Sequence, residues 1–274
     1  MDERKLPFME HLGELRIRLR NSVIALILAC CVTYWWAKPL FALLARPLET
    51  AYHEVGRKDL ELHYGSLTEG FWVHFEVAIY AGVFLASPVI FYQIWKFIAP
   101  GLYDKEKRIA IPFATCSALM FIGGALFAYA FVLPAAFRFF LSYSTENLGN
   151  VQSAFGNVQI TQNPIAIKET LFLQPYLEFA RKMLLAFGLI FELPLGIFFL
   201  SLVGIVTHRS LWKWNKYWVI LSFVLGGLLT PGPDIMSQLL MALPLIVLYN
   251  ISIIIAWVVT RKREAQPTDL TPAS

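Results

Sequence analysis

The stretch from Tyr217 to Thr260 carries one formal charge, Asp234. A water-facing element of that length would need more, whereas a bilayer core about 30 Å thick asks for about 20 apolar residues per helix. The same pattern recurs upstream. Uncharged runs cover Asn21–Ala37 (between Arg20 and Lys38), Val77–Trp95 (between Glu76 and Lys96) and Ile109–Phe137 (between Arg108 and Arg138). A fourth lies between Lys182 and Arg209, broken only by Glu192 and His208. Composition agrees, with 15% charged residues against about 25% in an ordinary soluble domain. Disordered, collagen-like and disulfide-rich chains are excluded on the same grounds.

The Tyr217–Thr260 run is too long for one crossing. Two prolines and a glycine in Thr230–Pro233 cannot continue a helix, so a tight turn divides it. Six spans are therefore expected, at about 21–37, 73–95, 109–138, 182–206, 211–229 and 237–260, the fifth short for a full crossing. The first run is expected to stay as a membrane helix, because Trp35 and Trp36 follow it rather than a small-residue cleavage site. An even number of spans puts both termini on one side. The segments on that side hold 15 of the 23 basic residues, which makes it the cytoplasmic side. The tryptophans cluster near span ends, as interfacial rings do. Two long outer loops are expected, at about 39–70 and 142–177. The expected organisation is all-α, with one six-helix membrane domain over 1–264 and a disordered cytoplasmic tail over 265–274.

Against this background a few polar residues stand out. Glu192 lies inside the fourth span, where an ionisable group costs at least about 2.5–3.5 kcal/mol. It reads as an intramembrane polar site, with a protonated glutamate bonded inside the bundle as the plainer alternative. Pro194, two residues on, removes the donor for the Ile190 carbonyl and bends the helix there. Glu14 and Glu106 sit in basic surroundings on the cytoplasmic side, in HLGELRIRLR and APGLYDKEKR. By pattern alone they read as surface ion pairs worth under about 1 kcal/mol. A sharper reading has each carboxylate taking one guanidinium in bidentate fashion, and pattern does not choose it. Phe8–Leu19 reads as an amphipathic helix at the membrane interface. Thr230, Asp234, Ser237 and Gln238 cluster at the last turn. They read equally as a helix cap or as polar contacts for another membrane helix. Cys30, Cys31 and Cys116 read as small hydrophobes inside apolar runs. No nucleotide, zinc or serine-hydrolase motif occurs, so no enzyme activity, cofactor, metal or nucleic-acid partner is expected.

The order HLGELRIRLR, ARPLE, SPVIFYQIWKFIAPGLYDKEKR, FGLIFELPLG and LLTPGPDIMSQ resembles the TatC family, the multispanning core subunit of the twin-arginine protein translocase. The resemblance runs from about Phe8 to Val259. It implies a receptor in the bacterial cytoplasmic (inner) membrane that binds twin-arginine signal peptides of folded proteins. It further implies TatA/TatB-type single-span partners, other copies of the same chain, and transport driven by the proton-motive force. The implied fold is a curved, glove-like wall of six helices with short fifth and sixth helices. Glu14 and Glu106 would meet the two signal arginines, with Arg16, Arg18, Phe97, Pro100, Leu102 and Tyr103 shaping that site. Pro47 would match an outer-loop proline, and Glu192 a polar residue on the concave face. Thr230, Gln238 and Asp234 would contact the partner helix. Two departures fall on the expected outer side: TPGPD is one residue longer than the common pattern, and Gly70 replaces a proline.

Two other readings stand beside it. One is a small-solute or ion transporter centred on Glu192, which needs further polar groups around a closed cavity. The other is a scaffold that only gathers membrane helices, in which Thr230 and Gln238 matter while Glu14 and Glu106 tolerate change.

Overall fold

Helices in this chain end where the backbone is broken, not where charge begins. The computed structural model describes residues 5–56, 60–98, 110–142, 170–230 and 235–264. It contains α1 (Lys5–Trp35), α2 (Ala37–Glu54), α3 (Glu69–Ile98) and α4 (Ala110–Phe127). A π turn over Ala128–Val132 follows α4, and the helix resumes as α5 over 133–142. Next come α6 (Leu173–Val203), α7 (His208–Leu229) and α8 (Ile235–Glu264). The predicted stretches 73–95, 211–229 and 237–260 each lie within one helix; 21–37 crosses the break at Trp36 into α2, 109–138 covers α4, the π turn and part of α5, and 182–206 runs past the end of α6 at Val203. The amphipathic Phe8–Leu19 stretch and the first span form the single helix α1. The fourth helix starts at Leu173, nine residues before the predicted 182, so Arg181 and Lys182 lie inside it. A charge marks where a helix leaves hydrocarbon, but the hydrogen-bond ladder continues until a breaker stops it. Gly204, at φ 85°, is such a breaker after α6. The Ile205 amide there reaches back to the Leu200 carbonyl at 2.9 Å.

Among the described residues, four segments are long and apolar enough to cross a membrane: Glu69–Ile98, Ile111–Ser142, Leu173–Val203 and Ser237–Arg261. The pair α1–α2 meets the same test together and is bent by 82°. The sixth helix, expected short, runs 30 residues; its apolar run is continuous, and Pro244 does not end it. The fifth, α7, has 22 residues with Arg209, Lys213 and Lys216 in its first half. Half of the first outer loop, expected over 39–70 with room for short helices, is helix α2. One short feature is not helical: β1 (Leu62–His63) pairs in parallel with β2 (Leu171–Phe172), in the register Leu62 to Leu171. The second predicted loop largely falls outside the described residues, as does the 265–274 tail.

The chain forms two compact units, Met1–Leu185 and Ala186–Ser274. In the first, α1 and α3 run antiparallel in close contact. The Thr33 hydroxyl donates to the Ala78 carbonyl at 2.7 Å. Gly82 faces Cys30 so closely that a Cβ there would lie 2.6 Å from the sulfur and 3.1 Å from the Cys30 backbone. This small-residue approach seats one helix on the other where lipid offers no hydrophobic drive. In the second unit, α7 packs on α8. Trp218 stacks on Tyr249 with ring centroids 4.8 Å apart, and the Tyr249 hydroxyl donates to the Leu211 carbonyl at 3.0 Å.

Candidate functional site

The antiparallel register that joins Thr33 to Ala78 and Cys30 to Gly82 brings the start of α1 to the end of α3. There Arg18 donates through Nη1 to Gln93 Oε1 at 3.4 Å. About two turns earlier on α1, the His11 ring stacks on Phe97 at 4.3 Å between centroids. Glu14 sits between these two contacts in sequence. Its Oε1 accepts from Arg18 Nη2 at 2.8 Å, and its Oε2 lies 4.0 Å from His11 Nδ1. The Glu14 side chain is 29% exposed and that of Arg18 is 18% exposed. An ion pair of this kind, four residues apart on one helix, is worth about 0.3–0.5 kcal/mol. Its effect is therefore to orient the Glu14 carboxylate rather than to hold the fold together. Arg18 Nε is buried without a hydrogen-bond partner among the described residues. Arg16, on the same helix, is exposed.

The end of α3 is in turn fixed to α4. Trp95 Nε1 donates to Ser117 Oγ at 2.8 Å, and the Trp95 ring lies 4.8 Å from that of Phe113. The segment joining α3 to α4 carries Glu106, Pro100, Leu102 and Tyr103. These four, with Asp234, lie outside the described residues. Of the predicted signal-peptide residues, Glu14, Arg18 and Phe97 thus share one helix junction. Sequence reading missed His11 and Gln93 there. The signal was available for His11, which precedes Glu14 by three positions on one helix, but not for Gln93, 75 residues from Arg18.

A second polar cluster, also missed, lies nearer the start of α3. Arg181 of α6 forms an ion pair with Glu76 of α3. Its guanidinium stands 4.9 Å from the centre of the Tyr80 ring, and its side chain is only 7% exposed. Gln174 Nε2 lies 3.4 Å from each Glu76 oxygen. The backbone amide of Gln174 donates to Glu69 Oε1 at 2.8 Å, while Glu69 Oε2 accepts the amides of Gly65 and Ser66. These bonds hold the start of α6 and the β1–β2 pair against α3. Glu76 had read as a charge flanking an apolar run and Arg181 had not been singled out; nothing in the sequence pairs them.

Pro47 is buried within helix α2 rather than placed in a loop. Having no N–H, it leaves the Leu43 carbonyl four residues back without a helical donor. The Tyr129 hydroxyl supplies one at 2.8 Å. The Tyr176 hydroxyl donates to the next carbonyl, that of Leu44. Arg138 Nη2 reaches Glu54 near the end of the same helix at 2.9 Å. Glu192 is half-buried in α6, beside Pro194.

Thr230 is buried at the end of α7, and its hydroxyl donates to the Gly226 carbonyl at 3.0 Å. Gln238 of α8 lies against Gly227, where a Cβ would come within 2.7 Å of Gln238 Nε2. Both residues therefore sit at the seam between α7 and α8.

Comparison with known proteins supplies the context. The family model described as Sec-independent protein translocase protein (TatC) matches residues 10–244. A Sec-independent protein translocase protein TatC from Desulforapulum autotrophicum is 40% identical over 264 residues, covering 96% of this chain and 89% of that protein. One of the same name from Aquifex aeolicus is 38% identical, covering 94% of this chain and 98% of that protein. Among solved structures, one titled Crystal Structure of Twin Arginine Translocase Receptor- TatC superposes with a TM-score of 0.73 at 37% identity. It covers 92% of this chain and 100% of that one.

Proposed function

We infer, from the premise that this chain belongs to the TatC family of Sec-independent protein translocase proteins, that it is the signal-peptide receptor of a twin-arginine translocase. It is a multi-pass membrane protein; the proposed arrangement is six spans in a bacterial cytoplasmic membrane with both termini inside. Twin-arginine signal peptides of folded cargo bind at the junction of α1, α3 and the segment after α3. Glu14 takes one guanidinium and Glu106 the other, with Arg16, Arg18, Phe97, Pro100, Leu102 and Tyr103 shaping the surface. TatA/TatB-type single-span partners join at Thr230, Gln238 and Asp234, and the proton-motive force drives export. Pro47 and Glu192 serve the assembly and its intramembrane face.

The observation that carries the reading is the state of Glu14. One of its oxygens already accepts a guanidinium, that of Arg18 at 2.8 Å, while the carboxylate keeps an open side. A second guanidinium meets an oriented carboxylate there. Hydrogen bonds to charged groups contribute about 1.5–3 kcal/mol each, so two carboxylates can distinguish two arginines from none by several powers of ten. The test is photocrosslinking of a twin-arginine peptide to the full chain in native membranes. Glu14→Ala with Glu106→Ala should abolish the crosslink at unchanged chain abundance. Undiminished capture in the double variant removes the reading, and also leaves the scaffold alternative standing.

A further inference from the structure

The first half of α7, in LWKWNKYW, alternates cations with aromatic rings and plays no part in the signal-peptide reading. A 3.6-residue turn puts Leu211, Asn215, Trp218, Ser222 and Gly226 on one face of this helix. That face meets α8: Leu211 and Trp218 pack against the cluster of Tyr249, Ile253 and Ala256, and Asn215 Nδ2 reaches Asn250 at 3.4 Å. Two positions back along each turn, and so about 200° round the helix, lies a second row. It reads Arg209, Lys213, Lys216, Ile220, Val224, and all five are exposed.

This row changes character along its length. Its three cations occupy the first turns, and its apolar members Ile220 and Val224 follow directly beneath them. Trp212 and Tyr217 flank the cations on either side, 66% and 54% exposed. Lys216 Nζ lies 4.9 Å from the centre of the Tyr217 ring. No acidic residue occurs anywhere on α7. Arg209, Lys213 and Lys216 form no ion pair among the described residues. A solvated charged face would not continue into an exposed apolar stripe, and three such cations directly above an apolar stripe match the two parts of one anionic lipid, headgroup and acyl chain.

We propose that this face of α7 binds an anionic phospholipid of the leaflet that meets the start of the helix. The phosphate lies among Arg209, Lys213 and Lys216, the glycerol region between Trp212 and Tyr217, and an acyl chain along Ile220 and Val224. Charge complementarity selects an anionic headgroup over a zwitterionic one, and the apolar continuation selects a lipid over a free anion. The inference rests only on the chain's being a membrane protein and shares no residue with the signal-peptide site.

The full chain is reconstituted in nanodiscs of phosphatidylcholine mixed with phosphatidylglycerol, then released for native mass spectrometry. The quantity read is the ratio of phosphatidylglycerol to phosphatidylcholine retained per chain. Each cation near an anionic membrane surface contributes about 1 kcal/mol, so a single Arg209→Gln, Lys213→Gln or Lys216→Gln should lower the ratio about fivefold and the triple variant on the order of a hundredfold. Lys213→Arg with Lys216→Arg should keep it. An unchanged ratio in the triple variant overturns the proposal. If the triple variant does not fold, unchanged ratios in all three single variants overturn it equally. Inorganic phosphate that displaces the lipid would show a site for the anion alone, and the lipid assignment would fall. The proposal falls too if the ratio holds while the same variants lose a single-span partner protein, because the face then belongs to a protein helix.

Discussion

At one end of the first compact unit, Arg18 reaches Glu14 four residues back on its own helix. Nearer the other end, Arg181 reaches Glu76 across 105 residues and two helices. Both pairs join a guanidinium to a carboxylate of similar exposure. They differ in what else depends on them. The Arg181 guanidinium is enclosed by Tyr80 and Glu76 and is nearly inaccessible, so the pair ties α6 to α3. The Arg18–Glu14 pair ties nothing that the helix does not already hold. A polar contact that the fold does not need is free to be rearranged by a ligand, and one that fixes two helices is not.

The largest expected effect breaks the second pair. Glu76→Leu leaves a guanidinium buried without its carboxylate and should destabilise the protein by about 3–5 kcal/mol. Thermal unfolding in detergent checks this. Glu76→Leu combined with Arg181→Met should regain most of the loss, because two apolar side chains of similar volume need no partner. A double variant as unstable as the single one would show that the packing, not the lost charge partner, governs this end.

A smaller effect is expected where α2 is tied down. Tyr176→Phe removes the hydroxyl bond to the Leu44 carbonyl, which Pro47 does not deprive of its helical donor, and should cost about 0.5–1.5 kcal/mol; the more exposed bond lost in Tyr129→Phe should cost about 1 kcal/mol. Pro47→Ala restores an amide donor for the Leu43 carbonyl. In that background Tyr129→Phe should become nearly neutral, while Tyr176→Phe keeps its cost. A double-mutant cycle by chemical denaturation reads the difference. Equal costs of Tyr129→Phe in both backgrounds would contradict the role assigned to Pro47.

The smallest effect belongs to the local pair. Glu14→Gln, which removes the pair and leaves the Arg18–Gln93 bond in place, should change stability by under about 0.5 kcal/mol, measured by the same denaturation. A loss above 2 kcal/mol, the size expected of a buried network, would make the two ends alike and remove the distinction drawn between them.

What could be read in the sequence follows the same division. The apolar runs were legible because membrane insertion acts on local composition, and three of the six predicted stretches, 73–95, 211–229 and 237–260, each lie within one helix. Glu14, Arg18 and Phe97 were legible as members of matched blocks, and the α1–α3 register brings them to one junction. Residues whose partners are far along the chain were not legible. Glu76 had read as the edge of a run, and Arg181 and Gln93 had no mark at all. The start of α6 was set nine residues late because Lys182 was read as a boundary, although a helix continues past a charge that finds a partner. Pro47 was placed on the outer loop by the family resemblance alone, and a proline inside a helix normally costs about 3 kcal/mol. Two tyrosine hydroxyls, one of them on the Leu43 carbonyl that Pro47 deprives of a donor, accompany its place within α2.

The central claim is that Glu14 reads an arginine of the signal rather than supporting the fold. It is tested by titrating twin-arginine and twin-lysine peptides against the wild-type chain and Glu14→Gln, with dissociation constants read from peptide fluorescence anisotropy. The account predicts that the arginine peptide binds the wild type about tenfold or more tighter than the lysine peptide, since only guanidinium pairs in bidentate fashion. It predicts that most of this preference disappears in Glu14→Gln, with thermal stability unchanged. An arginine preference of the same size in Glu14→Gln would contradict it.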